Sequence, residues 1–102
     1  MLEFFTTVSS KVDCQRIANV LVAGKLAACV SFWRVSSVYR WNGKVSKADE
    51  WMLCVKTSEK LGGQVEKRIK ALHSYELPVV VVTRVKVARD VEKWVKQATS
   101  KD

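Results

Sequence analysis

His73, the only histidine of the chain, stands beside Tyr75 and Glu76 in the segment Leu72-His73-Ser74-Tyr75-Glu76-Leu77-Pro78. An imidazole whose ordinary pKa is about 6.5, next to a phenol and a carboxylate, suits a metal ligand or a proton-handling group in a cleft. The plainer use of the same residue is to end a helix, where its cationic form meets the negative end of the dipole. One histidine excludes a three-histidine zinc site within a single chain, and a Ser-His-Asp triad would have to be built around it. Three cysteines, Cys14, Cys29 and Cys54, are widely spaced, with no Cys-x-x-Cys pair to suggest a zinc ribbon or a redox motif. Thiolates are soft ligands that select copper(I) or zinc, whereas a buried free thiol acts as a small hydrophobe, and both readings stay open. Lys56 closes an apolar run and could hold an anionic ligand or simply be solvated. Gly62-Gly63 has neither the spacing nor the Lys-Ser/Thr of a phosphate loop. Nothing in this inventory assembles a catalytic set, so a non-enzyme is expected.

The charge balance raises a different possibility. Eighteen Lys and Arg against ten Asp and Glu leave a net charge of +8, which invites nucleic acid or acidic ligands. Tyr39 and Trp41 alternate with Arg40, a mixture able to stack bases in a single-stranded site or to cap a neighbouring subunit. The excess is spread, however: residues 1–50 carry seven basic against four acidic side chains and residues 51–102 carry eleven against six, so no basic arm stands apart. No apolar run approaches the roughly 20 residues of a membrane helix. The start Met1-Leu2-Glu3-Phe4-Phe5 lacks a basic leader, so a cytoplasmic address is expected.

The elements that must position these groups follow from periodicity. Leu2 to Val8 reads as a strand, and Ser10-x-x-Asp13 supplies the capping-box spacing for a helix running to about Ala23, with Ile17, Val20 and Leu21 on one side. Gly24 is expected to close that helix in a left-handed conformation. Leu26-Ala27-Ala28-Cys29-Val30-Ser31-Phe32 alternates small with larger apolar residues and reads as an inner strand. Ser36 to Trp41, the turn pair Asn42-Gly43 and the strand Trp51 to Thr57 form a hairpin. Leu61, Val65, Ile69 and Leu72 mark one stripe of a second helix, whose first turn is weakened by Gly62-Gly63. Pro78 introduces the strand Val79 to Thr83, and Ala88, Val91, Val95 and Ala98 lie at helical intervals in a short basic helix.

The order β, α, β, β, α, β, α with right-handed crossovers gives an α+β class, a single domain over 1–102. It is a ferredoxin-like split βαβ sandwich, an antiparallel sheet with its main helices on one face, plus a short C-terminal helix. The strands are too apolar for their second face to meet water, since Val79 to Val82 is apolar throughout and Trp33, Tyr39, Trp41 and Trp51 add bulk. An oligomer is therefore expected.

Five segments together resemble the CutA family of divalent-cation tolerance proteins. They are Thr6-Thr7-Val8; Leu21-Val22 with Leu26-Ala27-Ala28-Cys29-Val30; Val38-Tyr39-x-Trp41-x-Gly43-Lys44-Val45; Glu50-x-x-Leu53-x-Val55-Lys56-Thr57; and Ile69-Lys70-x-Leu72-His73-x-Tyr75-Glu76-Leu77-Pro78. The match is collinear over nearly the whole chain. The resemblance implies a homotrimer similar to the PII-type signalling proteins, with strand edges joining protomers and Tyr39 and Trp41 in the contacts. It also implies copper or another divalent metal as ligand, with Cys29 and His73 as candidate donors. Lys56, Tyr75 and Glu76 would then line a subunit cleft for a metal or a small anion. A basic nucleic-acid-binding module and an enzyme with its site at that cleft are the alternatives.

Overall fold

The computed structural model describes residues 1–101. Strand β1 (Leu2–Val8) is followed by helix α1 (Lys11–Ala23), strands β2 (Cys29–Trp41) and β3 (Lys44–Thr57), helix α2 (Gly62–Leu72), strand β4 (Val81–Arg84) and helix α3 (Arg89–Ala98). The sheet order is β2-β3-β1-β4, and every pairing is antiparallel. This is the split βαβ arrangement that the element order predicts. Phe4, Val8, Leu53 and Val55 project from one sheet face into a core completed by Ile17 and Leu21 of α1 and Val65 and Ile69 of α2. Each such side chain, fully removed from water, contributes about 1.5–3 kcal/mol.

One expectation is corrected. The segment 26–32 is not an inner strand, because β2 forms the sheet edge and β1 and β3 are the central strands. Leu26 and Ala27 belong instead to the end of α1, where both of their N–H groups donate to the Leu21 carbonyl. Ala27 is buried in the core, and this explains why the run reads as apolar on both sides. The left-handed residue is also displaced by one: Lys25 has φ 58°, while Gly24 has φ −81°. Lys25 N–H bonds to Val22 O and Leu26 N–H to Leu21 O, the paired bonds of a Schellman motif with Lys25 at its left-handed position. Glycine at 24 instead relieves a close approach, since a Cβ there would lie 3.0 Å from Val20 O.

Other local signals hold. Ser10 Oγ accepts the Asp13 N–H at 3.1 Å and caps α1. Asn42 and Gly43, at φ 51° and 75°, make the tight turn between Trp41 and Lys44. The first turn of the second helix is a 3-10 turn, Glu59–Leu61, before α2 begins at Gly62. A Cβ at Gly62 would meet Leu2 Cδ1 at 2.8 Å, so glycine there lets the helix approach β1. The fourth strand begins at Val81, two residues later than Val79.

The hairpin is longer than its sequence segments imply. Because β1 ends where Val8 pairs with Trp51, residues 35–41 and 44–50 pair only with each other. Seven residues on each strand at about 3.3 Å each make a two-stranded ribbon about 23 Å long. It accounts for the elongated 47 × 24 × 22 Å shape.

Candidate functional site

His73 follows the last residue of α2 in an extended conformation, which turns the chain back across the end of the sheet. Its Nδ1 accepts the Tyr75 N–H at 3.2 Å, and its Nε2 lies 3.0 Å from Thr6 Oγ1. A backbone N–H can only donate, so the neutral ring carries its proton on Nε2 and both nitrogens are engaged. Burial is the main cause that pushes the His73 pKa below its ordinary value, assisted by the Arg16 charge and opposed by Asp13, Glu50 and the Thr7 backbone. The Tyr75 ring packs 5.0 Å from the imidazole, and its hydroxyl donates to Glu50 Oε2 at 2.7 Å. Glu50 is buried. That burial pushes its carboxyl up, but hydrogen bonds from Ser37, Tyr75 and Thr7, together with the His73 charge, outweigh it and leave the pKa lowered. The Tyr75 phenol is raised, first by burial and then by Glu50. Arg16 donates to the Leu72 carbonyl at 2.7 Å and Ser74 to Asp13 at 3.2 Å, which ties the same segment to α1.

The remaining candidates lie elsewhere. Cys29 opens β2 opposite Lys56, which in turn faces Glu3. Lys56 Nζ is 3.7 Å from the Glu3 carboxylate, and Cys54 Sγ sits 3.4 Å from the same carboxylate. Burial, then the Glu3 hydrogen bond, raises the Cys54 thiol. Cys14 is pushed up to about 11 by burial and by Asp13, which makes it inert as a nucleophile. All three cysteines are free, and Cys14 and Cys54 are buried as small hydrophobes would be, while Cys29 is half-exposed with Sγ 4.0 Å from Ser31 Oγ.

By strand alternation, Cys29 and Lys56 share the sheet face that α1 and α2 leave uncovered, whereas Thr6, the partner of His73, shares the core face with Phe4 and Val8. Cys29 and His73 are therefore separated by the sheet within one protomer. Among the described residues, no three His, Cys, Asp or Glu side chains converge as a metal-binding group. The same alternation places Tyr39 and Trp41 on one face of the hairpin and Arg40 on the other, so the aromatic and cationic groups do not form one stacking surface.

Sequence and fold converge on one set of relatives. The family model of the CutA1 divalent ion tolerance protein matches residues 2–98. The chain belongs to this family. It is 36% identical over 95 residues to the divalent-cation tolerance protein CutA of Thermus thermophilus, covering 91% of this chain and 92% of that one. It is 37% identical over 76 residues to the CutA protein of Archaeoglobus fulgidus, covering 74% of each. Identity to the chloroplastic CutA 1 of rice is 35% over 93% of this chain, which spans only 55% of that protein's length. The solved CutA1 of Pyrococcus horikoshii superposes with a TM-score of 0.94 at 28% identity, covering 99% of this chain and 100% of that one.

Tyr75 points inward to Glu50, while Glu76, its neighbour, is exposed. Glu50 is the residue that local sequence reasoning missed, although it opens one of the segments that carry the resemblance. Its place on β3, on the face of Met52 and Cys54, emerges only from the full length of the strand. No helix among the described residues is long and apolar enough to cross a membrane.

Proposed function

We propose that this CutA-family chain acts in divalent-cation tolerance as a homotrimeric binding protein without a catalysed reaction. The observation that supports this reading is the bare ribbon. Tyr39 and Trp41 occupy one face of the ribbon and remain 45% and 42% exposed, and Val38 and Val45 on its other face are 68% and 63% exposed. Apolar groups gathered on one projecting element favour contact with a second surface. A copy of the same chain offers one, the uncovered sheet face with exposed Val81. Light scattering at micromolar concentration should give three times the protomer mass, and a monomer with native circular dichroism overturns the reading.

The donor set bears on the ligand. Within a protomer, Cys29 and His73 do not fit a copper site, because the sheet separates them and both imidazole nitrogens are hydrogen-bonded. A copper or other divalent ion would have to draw donors from more than one copy. Lys56, Tyr75 and Glu76 are the side chains to test for a cleft that takes a metal or a small anion. Calorimetry with a competing chelator tests the donors: Cys29→Ser and His73→Ala should each lower copper affinity at least tenfold if they ligate. Unchanged affinity removes them. Three free thiols are compatible with a reducing, cytoplasmic setting.

A further inference from the structure

The ribbon leaves the sheet at Glu50, the residue next to Trp51, where β1 stops pairing with β3. From there outward no third strand fixes its direction. Each rotation of about 10° at the root of a ribbon about 23 Å long carries its tip about 4 Å. The angle at the root therefore decides where Tyr39 and Trp41 are presented.

Glu50 is placed to set that angle. By strand alternation its side chain lies with Met52 and Cys54 on the sheet face that α1 and α2 leave uncovered, yet the residue is only 7% exposed. Its cover comes from the segment after α2. β4 pairs with β1 only as far as Phe5, and past that point the 73–75 turn joins the two sheet faces. His73 meets Thr6 on the core face, and Tyr75 reaches Glu50 Oε2 at 2.7 Å on the opposite one. The same carboxylate accepts from Thr7, near the end of β1, and from Ser37, two positions out along the ribbon from Val35, the cross-strand partner of Glu50. One buried carboxylate thus joins the body, through Thr7 and Tyr75, to the ribbon, through Ser37. The turn is itself tied to α1 by Arg16 and Ser74, so Tyr75 is held from behind. A buried carboxylate is costly to leave short of partners, which opposes any swing of the ribbon that would pull Ser37 away. The neighbouring Asp49 makes a contrast: it is exposed and meets Arg34 and Ser36, both on β2, so its contacts stay within the hairpin.

We infer that Glu50 is a hinge pin: clamped by Tyr75, its carboxylate fixes the angle between the ribbon and the sheet. Released from the pin, the ribbon samples a range of directions, and a second copy must order it on binding, which lowers affinity. The use of the pin in assembly rests on the homotrimer reading; the angle itself does not.

The test reads that angle as a distance within one protomer. The full chain carries nitroxide labels at Lys47→Cys on the ribbon and Lys67→Cys on α2, in a Cys29→Ser background that leaves only the buried Cys14 and Cys54. Tyr39→Ala and Trp41→Ala are included so that contacts of the aromatic face do not hold the ribbon, and the labelled chain is diluted into excess unlabelled chain. Double electron–electron resonance should give one narrow distance distribution. Adding Tyr75→Phe with Ser37→Ala should at least double its width, as should Glu50→Gln, while Asp49→Asn should leave it unchanged. An unchanged width with Tyr75→Phe and Ser37→Ala overturns the inference. So does equal broadening by Asp49→Asn, since any polar contact in the hairpin would then serve, and so does a distribution already broad before the pin is touched. Tyr75→Phe and Ser37→Ala each remove only a hydroxyl, so they keep the test decisive even if Glu50→Gln fails to fold. Light scattering on chains that retain Tyr39 and Trp41 reads assembly separately. There Tyr75→Phe with Ser37→Ala should raise the concentration at which the assembly dissociates at least tenfold. Broadening without that change keeps the pin and removes the ribbon from assembly, whereas weakened assembly with a narrow distribution overturns the pin and leaves the homotrimer reading standing.

Discussion

The base and the tip of the β2–β3 hairpin share one continuous hydrogen-bond ladder, from Cys29 opposite Lys56 to Trp41 opposite Lys44, yet they differ in nearly every other respect. At the base, Leu53 and Val55 are fully buried, because β1 pairs along the far side of β3 and α1 and α2 close over the core face. At the tip, Val38 and Val45 are of the same chemical kind but stand mostly in water. Strand pairing fixes register in both regions, and only the layer above the sheet decides burial. The base is therefore held by the protomer itself, and the tip is the part that the proposed assembly would have to cover.

The largest effect that could break this contrast is a cavity at the base. Leu53→Ala should cost about 2–5 kcal/mol, the range for deleting a fully buried leucine side chain. Val45→Ala should stay within about 0.5 kcal/mol in any measurement on dissociated protomers. Urea denaturation of the two variants, each at several protein concentrations, checks the pair. Equal losses would mean that the tip is not the unfinished region.

The same contrast sharpens at the level of assembly. Tyr39→Ala combined with Trp41→Ala should leave far-ultraviolet circular dichroism near native while the mass seen by light scattering falls toward that of a protomer. A double variant that unfolds instead would place the ribbon's aromatic residues in the folding core, against their exposure.

These two regions were unequally legible in the sequence. Local rules locate the Ser10 cap and the stripe Val65, Ile69 around the base, and at the tip they locate only the Asn42-Gly43 turn. They do not locate the edge position of β2, because Ala27 and Leu26 look like strand residues when their apolar character serves the end of α1. Sequence proximity also misled at the candidate site. His73, Tyr75 and Glu76 are neighbours in the chain, but Tyr75 pairs with Glu50, 25 residues away, and no local pattern encodes that contact. The segment Lys44 to Glu50 was not read as strand because its charged residues obscure alternation, although exposed ribbon positions tolerate them on both faces.

A third, smaller effect concerns that long-range contact. Tyr75→Phe removes the hydroxyl that donates to buried Glu50 at 2.7 Å and should cost about 1.5–3 kcal/mol, as for a hydrogen bond to a charged group. Retained stability would show that Ser37 and Thr7 suffice to hold the carboxylate. Gly43→Ala ranks below it, with a loss of about 1 kcal/mol from the φ of 75° at the ribbon's turn. A larger loss there would mean that the turn also anchors the assembly.

The smallest effect is a titration, and it separates the two regions by sign. His73 has its pKa lowered in the folded chain from an ordinary 6.5, so below that value the unfolded chain binds more protons. The stabilisation from the neutral ring is complete above 6.5 and is lost as pH falls through the folded pKa. Glu50 is also lowered, from 4.5, and its contribution is present above 4.5 and lost as pH falls through its own folded value. Acidification should therefore remove stability in two successive steps, the imidazole first, because its protonation turns Nδ1 from an acceptor for the Tyr75 N–H into a competing donor. Urea midpoints measured at intervals from pH 7.5 to 4 should show the upper step in the wild type and in Val45→Ala alike. They should show it flattened in His73→Gln. If His73→Gln keeps the upper step, another group titrates there and the imidazole does not hold the 73–75 turn. If Val45→Ala loses it, base and tip are coupled through the ladder, and their independence fails where the structure makes it most specific.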